Sequence, residues 1–178
     1  MTRFASEYGN ALFELAEDES LSDHVAQDLR RVMALINQQE AYIRLLGVPS
    51  IDVKERKGLI DEAFGESVHP YLVNFMKLLI DRGAIAYLPE CADVFFERYN
   101  DAKGIAVAKV TSAAALTSDQ ISALREKLEQ ISGKNVEMRL DVDPDLIGGL
   151  RVDMLGKRYD NSVRDRLDKL RRSLTAQE

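Results

Sequence analysis

The spacing of apolar residues changes near Gly104, and no other feature of the sequence constrains the fold as much. Before this point apolar side chains recur every three or four residues, which is the period of a helix with one buried face. Beyond it apolar and polar residues alternate in short runs such as 136–142, which is the period of a strand with one wet face. A chain of 178 residues with two such patterns is expected to form two domains, 1–104 and 105–178.

Charge and aromatic content divide at the same place. Residues 1–104 contain 11 Lys and Arg against 18 Asp and Glu, whereas residues 105–178 contain 13 against 12, giving the overall charge of −6. All six Phe and every Tyr except Tyr159 lie in the first part. An acidic chain has no bulk attraction to nucleic acid or anionic lipid, so neither is an expected partner. No apolar stretch approaches the roughly 18 residues needed to span a bilayer.

The first part is predicted to be a six-helix bundle. Apolar stripes, capping residues and Gly or Pro breaks place its helices near 4–16, 21–36, 40–46, 52–64, 71–81 and 89–99. Ser20 and Ser22 are both candidate N-caps for the second helix. The connections are short, and short connections favour a bundle of neighbouring helices.

The second part is predicted to be a small α/β domain, a short sheet with two helices, so that the chain is α+β overall. Strands are expected at 105–111, 136–142 and 150–154, with a short return segment at 157–159. Thr117 followed by Gln120 predicts a capping box for the first helix. Asp160 or Ser162 is expected to cap the last helix, whose apolar stripe consists of Val163, Leu167, Leu170 and Leu174.

The fifth predicted helix is apolar nearly all round, because only Asn74 and Lys77 are polar between Tyr71 and Ile80. A surface helix needs one apolar stripe, so this pattern has two interpretations. The helix is either buried on all sides, or its second face lines an open apolar groove that accepts a partner helix. The pattern alone does not separate them.

Motifs that carry chemistry are not recognisable. One cysteine and two histidines are too few for a zinc site, and the glycines at 148–149 lack the Lys-Ser/Thr of a phosphate loop. The run 141–145 begins like a calcium loop but has Leu146 where glycine is required, so an Asp-Pro turn is expected instead. Cys91 has no nearby histidine and is expected to be a buried, inert thiol. The sequence therefore predicts neither an enzyme nor a cofactor.

Residues 157–172 contain seven basic side chains against three acidic ones. Basic residues late in a helix complement its dipole, so this segment is either a solvated, well-capped face or a surface for an acidic partner. RNA is a weaker candidate, because Tyr159 is the only aromatic residue near these charges.

Five segments together resemble the delta subunit family of bacterial F-type ATP synthases, to which the mitochondrial oligomycin-sensitivity-conferring protein is related. The segments run in the family's order over essentially the whole chain. They are Tyr8-Gly-Asn-Ala-Leu-Phe-Glu-Leu-Ala16, the apolar fifth helix, Ser112-Ala-Ala-Ala-Leu-Thr117, Gly148-Gly149-Leu150 and Asp160-Asn-Ser-Val-Arg-Asp-Arg-Leu167. The absence of a transit pattern at the N-terminus favours a bacterial member.

The resemblance implies a non-catalytic stator subunit of a proton-translocating synthase, held at the cytoplasmic face of the inner membrane through its partners. In the family, the N-terminal domain binds the catalytic head, with an N-terminal helix of an alpha subunit lying between the first and fifth helices, and beta subunits nearby. The matching positions are Tyr8, Ala11, Leu12, Leu15, Asn74, Phe75, Leu78 and Leu79.

The resemblance also implies that the C-terminal domain holds the b subunits of the peripheral stalk, for which the expected residues are Leu150, Arg164, Arg166 and Leu170. The chain departs from the common family pattern at residues 81–84 and at Gly9, where glycine costs about 1 kcal/mol of helix propensity.

The alternative function is a helical RNA-binding adaptor of the antitermination type, and its expected mark is a basic surface that the acidic first part lacks.

Overall fold

The computed structural model describes residues 2–165, and contacts within the chain group it into two compact units, Met1–Tyr99 and Asn100–Glu178. The chain is helix-rich and carries one small four-stranded sheet. The units divide inside a helix, slightly before the domain boundary at residue 104 that the sequence suggests. That functional boundary stays a prediction. Within the described residues no helix is both long and apolar enough to cross a membrane.

Helices α1 to α6 make up the first unit and its junction with the second. Their bounds are α1 (Arg3–Asp18), α2 (Ser22–Gln38), α3 (Glu40–Leu46), α4 (Val53–Phe64), α5 (Pro70–Asp81) and α6 (Leu88–Ala102), with a 3-10 turn at Ile85–Tyr87. Large side chains from several helices are fully buried, among them Leu29, Leu72 and Phe95. The rings of Phe13 and Phe95 meet edge to face with centroids 5.9 Å apart, which joins α1 to α6.

The start of α2 differs from the expectation. Its N-cap is Leu21, with no side-chain cap, while Ser20 has a φ of 57°. The reason lies in the preceding helix, because the amide of Leu21 donates to the carbonyl of Ala16 at 2.7 Å and closes the end of α1 around a left-handed residue. Ser20 therefore serves the end of α1 and is not available to cap α2.

The second unit contains β1 (Ile105–Ser112), α7 (Ser118–Ser132), β2 (Asn135–Val142), β3 (Leu150–Met154) and β4 (Lys157–Asp160). The sheet order is β2-β1-β3-β4, and the β1–β2 pair, linked through α7, is parallel while the other pairs are antiparallel. The predicted capping box is present, since the Thr117 hydroxyl accepts from the Gln120 amide at 3.3 Å and the Gln120 side chain accepts from the Thr117 amide at 3.0 Å.

One face of the sheet carries the core of the second unit. Ala106, Ala108 and Val110 of β1 lie on it, with Val136 and Val152 at neighbouring registers, and Leu128 of α7 packs against them. Alternation along the strands explains this face, because residues two apart point to the same side. Residues 163–165 are helical, at the start of the predicted last helix, and the other residues of that prediction lie outside the described part of the chain.

Candidate functional site

An open apolar groove lies between α1 and α5 and has a volume of about 400 Å³. Its lining residues are Tyr8, Ala11, Leu12, Leu15, Tyr71, Asn74, Phe75 and Leu78. Two leucines, one from each helix, remain largely open to solvent: Leu15 is 43% exposed and Leu78 is 41% exposed. Large aliphatic side chains at this exposure, on two neighbouring helices, mark a place where a further apolar element can be buried.

The helix starts that flank the groove are held by side-chain caps. The Thr2 hydroxyl accepts from the Ala5 amide at 3.2 Å, which fixes the first turn of α1. At α5 the ring nitrogen Nδ1 of His69 accepts from the Tyr71 amide at 3.3 Å, and Pro70 occupies the first helical position.

A buried carboxylate ties the start of α5 to α2. Asp28 is 1% exposed, and its Oδ2 accepts from the His69 amide at 2.8 Å. His24 Nε2 and Arg31 Nη1 lie 3.5 and 3.3 Å from the same carboxylate, so the buried group is hydrogen-bonded and has the guanidinium of Arg31 as a cationic neighbour. The position of α5, and with it one wall of the groove, rests on this anchor.

Both interpretations of the fifth predicted helix apply to part of α5. Six of its side chains are buried and lie on one side of the helix, over somewhat less than half of its circumference: Leu72, Val73, Phe75, Met76, Leu79 and Ile80. Asn74 and Leu78 are exposed at the groove. The helix is therefore central to the core and still supplies an apolar wall to an open site, which explains why nearly all of its positions are apolar.

Seven of the eight predicted groove residues line the groove together. The exception is Leu79, which is fully buried, so the assignment of Leu79 to the groove is corrected. Successive helical residues point about 100° apart, and Leu79 points into the core when Leu78 points into the groove. Tyr71 was missed, although it lies seven residues, or two turns, before Leu78 on the same stripe.

The residues predicted for the stalk contact are only partly described. Leu150 is half-buried and packs against the core of the second unit, while Arg164 is exposed beside a polar depression that Arg151 and Asp160 also line. Arg166 and Leu170 lie outside the described residues. Sequence reasoning missed a further apolar surface on β2, where Leu140 and Val142 are 48% and 50% exposed on the same side of the sheet as the core.

Metal-ligating side chains are scattered over the described residues, and the cysteine among them is buried. Among them, no three His, Cys, Asp or Glu side chains are grouped so that they could hold a metal ion. Cys91 is fully buried, and burial, aided by the neighbouring charge of Glu90, raises the pKa of its thiol to about 11. The neutral thiol that results at ordinary pH is a poor nucleophile.

The first unit therefore has an open apolar groove between two helices, which is a kind of surface that can accept an amphipathic helix. Comparisons with known proteins identify the family of the chain. The family model for the ATP synthase delta (OSCP) subunit matches residues 4–174. The chain belongs to this family.

Curated relatives agree over nearly the full length. The chain is 33% identical over 170 residues to ATP synthase subunit delta of Carboxydothermus hydrogenoformans, and 36% identical over 171 residues to that of Desulfitobacterium hafniense strain Y51. Each alignment covers 96% of this chain and 96% of the relative. A chain in the structure of the Toxoplasma gondii mitochondrial ATP synthase hexamer has the same fold, with a TM-score of 0.83, 19% identity and coverage of 98% of both chains.

Membership defines the role of the chain as a non-catalytic subunit of the peripheral stalk of an F-type ATP synthase. The alternative of an RNA-binding adaptor of the antitermination type finds no support in these comparisons.

Proposed function

We propose that the groove between α1 and α5 receives the N-terminal helix of an alpha subunit, so that residues 1–104, as a six-helix bundle, bind the catalytic head. The proposal rests on one observation: the apolar side chains of Leu15 and Leu78 remain more than 40% exposed in the groove. Burying such side chains stabilises a complex by roughly 25 cal/mol per Å² of apolar surface. Ala11 lets a partner backbone come close, and Asn74 offers a hydrogen bond at the edge.

The test measures binding of a synthetic peptide, the alpha-subunit N-terminus from the same synthase, to the full chain. Leu78→Asp is expected to weaken binding about 100-fold, because the carboxylate would lose its hydration inside an apolar interface. The matched control is Leu35→Asp, which changes a leucine of α2 that is 51% exposed and outside the groove. Equal binding by the wild type and Leu78→Asp would refute the groove proposal.

We further propose that residues 105–178 hold the b subunits, with Leu150, Arg164, Arg166 and Leu170 in the contact. The support is the exposed Arg164, on a segment rich in basic residues. Arg164→Glu should reduce retention of the soluble part of the b subunits by the full chain several-fold, and Arg125→Glu, an exposed arginine of α7, is the control. Undiminished retention by Arg164→Glu would remove that residue from the contact.

In this arrangement the chain links the catalytic head to the stalk and resists the torque of the rotor, so that proton flow is coupled to ATP synthesis. It would be held at the cytoplasmic face of the bacterial inner membrane through the complex. Fractionation tests this: the chain should sediment with membranes that contain the assembled synthase and should leave them when the b subunits are deleted.

A further inference from the structure

The two walls of the groove differ in charge. Helix α1 contains one basic residue, Arg3, against four acidic ones, whereas α5 contains one residue of each sign. The two charges of α5 are matched by α4, since Lys77 and Asp81 form ion pairs with Asp61 and Lys57. The α5 wall is therefore close to neutral, and the α1 wall is acidic.

Three of the α1 acids border the groove. Glu7 and Glu14 lie four residues before and three residues after Ala11, and Asp18 lies three residues after Leu15, so each neighbours a lining residue on the helix surface. All three are exposed. We define Glu7, Glu14 and Asp18 as the acidic rim.

Among the described residues, basic side chains of the first unit neutralise this rim only in part. Arg3 pairs with Glu7 at 2.9 Å, but both side chains are largely in water, where an ion pair contributes little. Arg98 Nη2 lies 3.9 Å from Glu14 Oε1, which is beyond hydrogen-bonding distance. A partner helix in the groove would place its own edge beside the rim, and long basic side chains can lie over apolar surface while their charged ends reach it.

We infer that the helix received by the groove carries lysine or arginine along the edge that faces α1, and that the acidic rim selects this orientation of the helix. The inference rests on the proposed function, because it describes the occupant of the same groove. Apolar side chains bind the helix, and the unequal walls determine which way it is rotated. Rim charges of this kind act mainly on the rate of association and on specificity.

The probe is the same alpha-subunit peptide, bound to the full chain at 20, 150 and 500 mM NaCl. The rim variant combines Glu7→Gln, Glu14→Gln and Asp18→Asn. The control variant combines Glu62→Gln, Glu66→Gln and Glu97→Gln, which removes the same charge from exposed positions outside the groove. All six changes are on the surface, so the melting temperature of either variant should stay close to that of the wild type.

The rim variant should bind about tenfold more weakly at 20 mM NaCl, mostly through slower association, and the difference should fade at 500 mM, where screening is nearly complete. The control should change binding less than twofold. A peptide whose lysines and arginines are replaced by glutamine should bind the wild type, the rim variant and the control variant equally well. Without its basic side chains the peptide has nothing to pair with the acidic rim, so removing the rim charges should change nothing.

The outcomes separate the two ideas. If Leu78→Asp weakens binding and the rim variant does not, the groove is the site and the charge inference is overturned. If Leu78→Asp has no effect, the proposed function itself fails. If the chain forms a dimer that Leu78→Asp abolishes, and the peptide does not bind, the groove belongs to a second copy of the chain. That result would overturn both the proposed function and the charge inference.

Discussion

The two units of the chain bury apolar surface to different extents. The first unit encloses large side chains such as Leu29, Leu72 and Phe95 completely, whereas the core that the described part of the second unit forms consists mainly of small ones such as Ala106, Ala108 and Val110. Apolar exposure in the first unit includes a defined groove between two helices. In the described part of the second unit it includes the open face of β2, where Leu140 and Val142 are about half exposed.

In the first unit, the side chains that stabilise the fold differ from those that are exposed for binding. A core of large, interlocked side chains can hold two helices at a fixed spacing and keep a groove open between them. In the described part of the second unit the core side chains are smaller, and Leu140 and Val142 of β2 stay half exposed, where a further element can cover them. The first unit is thus suited to be a preformed site. The predictions below test this contrast.

The largest effect is expected from truncating the cores. Phe95→Ala should destabilise the first unit by about 3–5 kcal/mol, because it empties a fully buried position that contacts the Phe13 ring. Leu128→Ala should cost the second unit about 2–3 kcal/mol, since fewer atoms are removed from a smaller core. Urea unfolding followed by tyrosine fluorescence reports mainly the first unit, which holds every tyrosine except Tyr159, and amide exchange in β1 measures the loss in the second. Equal losses would contradict the contrast.

The next effect concerns the contact of α1 with α6. A methyl group at Gly9 would lie 2.6 Å from the Cys91 carbonyl oxygen and 2.7 Å from Cβ of Val94. Gly9→Ala is therefore expected to destabilise the chain by about 1–3 kcal/mol, despite the better helix propensity of alanine. The control is Gly58→Ala in α4, where a methyl group meets nothing within 4 Å and stability should rise by about 0.5–1 kcal/mol. Thermal melts of both variants measure the difference, and a gain from Gly9→Ala would show that the two helices can separate freely.

Gly9 also shows where sequence reasoning stops. In the sequence it reads as a cost to helix propensity, and only the packing of α6 over it supplies the reason for glycine. The local signals were more informative: Thr117 and Gln120 form the predicted capping box, and the glycines at 148–149 mark a close backbone approach, since a methyl group at Gly149 would lie 2.4 Å from the Asn161 carbonyl oxygen.

The groove, too, could be predicted from the sequence in part. Helical spacing and the family resemblance together identify seven of its residues. They do not decide between Leu78 and Leu79, because that choice depends on which side of α5 meets the core. Ser20 failed as a cap for a similar reason, since the end of α1 determines its backbone conformation. The exposed face of β2 was missed because alternation indicates which residues share a face, and not how far α7 covers it.

A smaller effect is expected at the start of α7. Thr117→Ala removes the hydroxyl that accepts from the Gln120 amide and should cost about 1 kcal/mol. The loss should fall on the second unit alone, because the capping box is local to it. Amide exchange would show faster exchange in α7 and unchanged exchange in α5. A change in both helices would mean that the units unfold together, which would weaken the contrast drawn between them.

The smallest effect is the pH dependence carried by Cys91. Burial in the first unit raises the pKa of the thiol from 9.0 to about 11, so the folded chain resists losing that proton more than the unfolded chain does. The stability associated with the neutral thiol is complete below pH 9 and is lost as the pH rises toward 11. Between pH 8 and 9.5 the free energy of unfolding of the wild type should fall by somewhat less than about 1 kcal/mol relative to that of Cys91→Ala.

The comparison with Cys91→Ala cancels the titration of lysines and tyrosines, which both proteins share. Urea midpoints measured at intervals from pH 7 to 10 give the difference, and labelling with iodoacetamide at pH 8 gives an independent reading. A buried thiol on α6 should react only at the rate at which the first unit opens, whereas a rate close to that of free cysteine would mean that the contact between α6 and its neighbours, including α1 at Gly9, is loose. A loose contact there would also undermine the groove, because α1 forms one of its two walls.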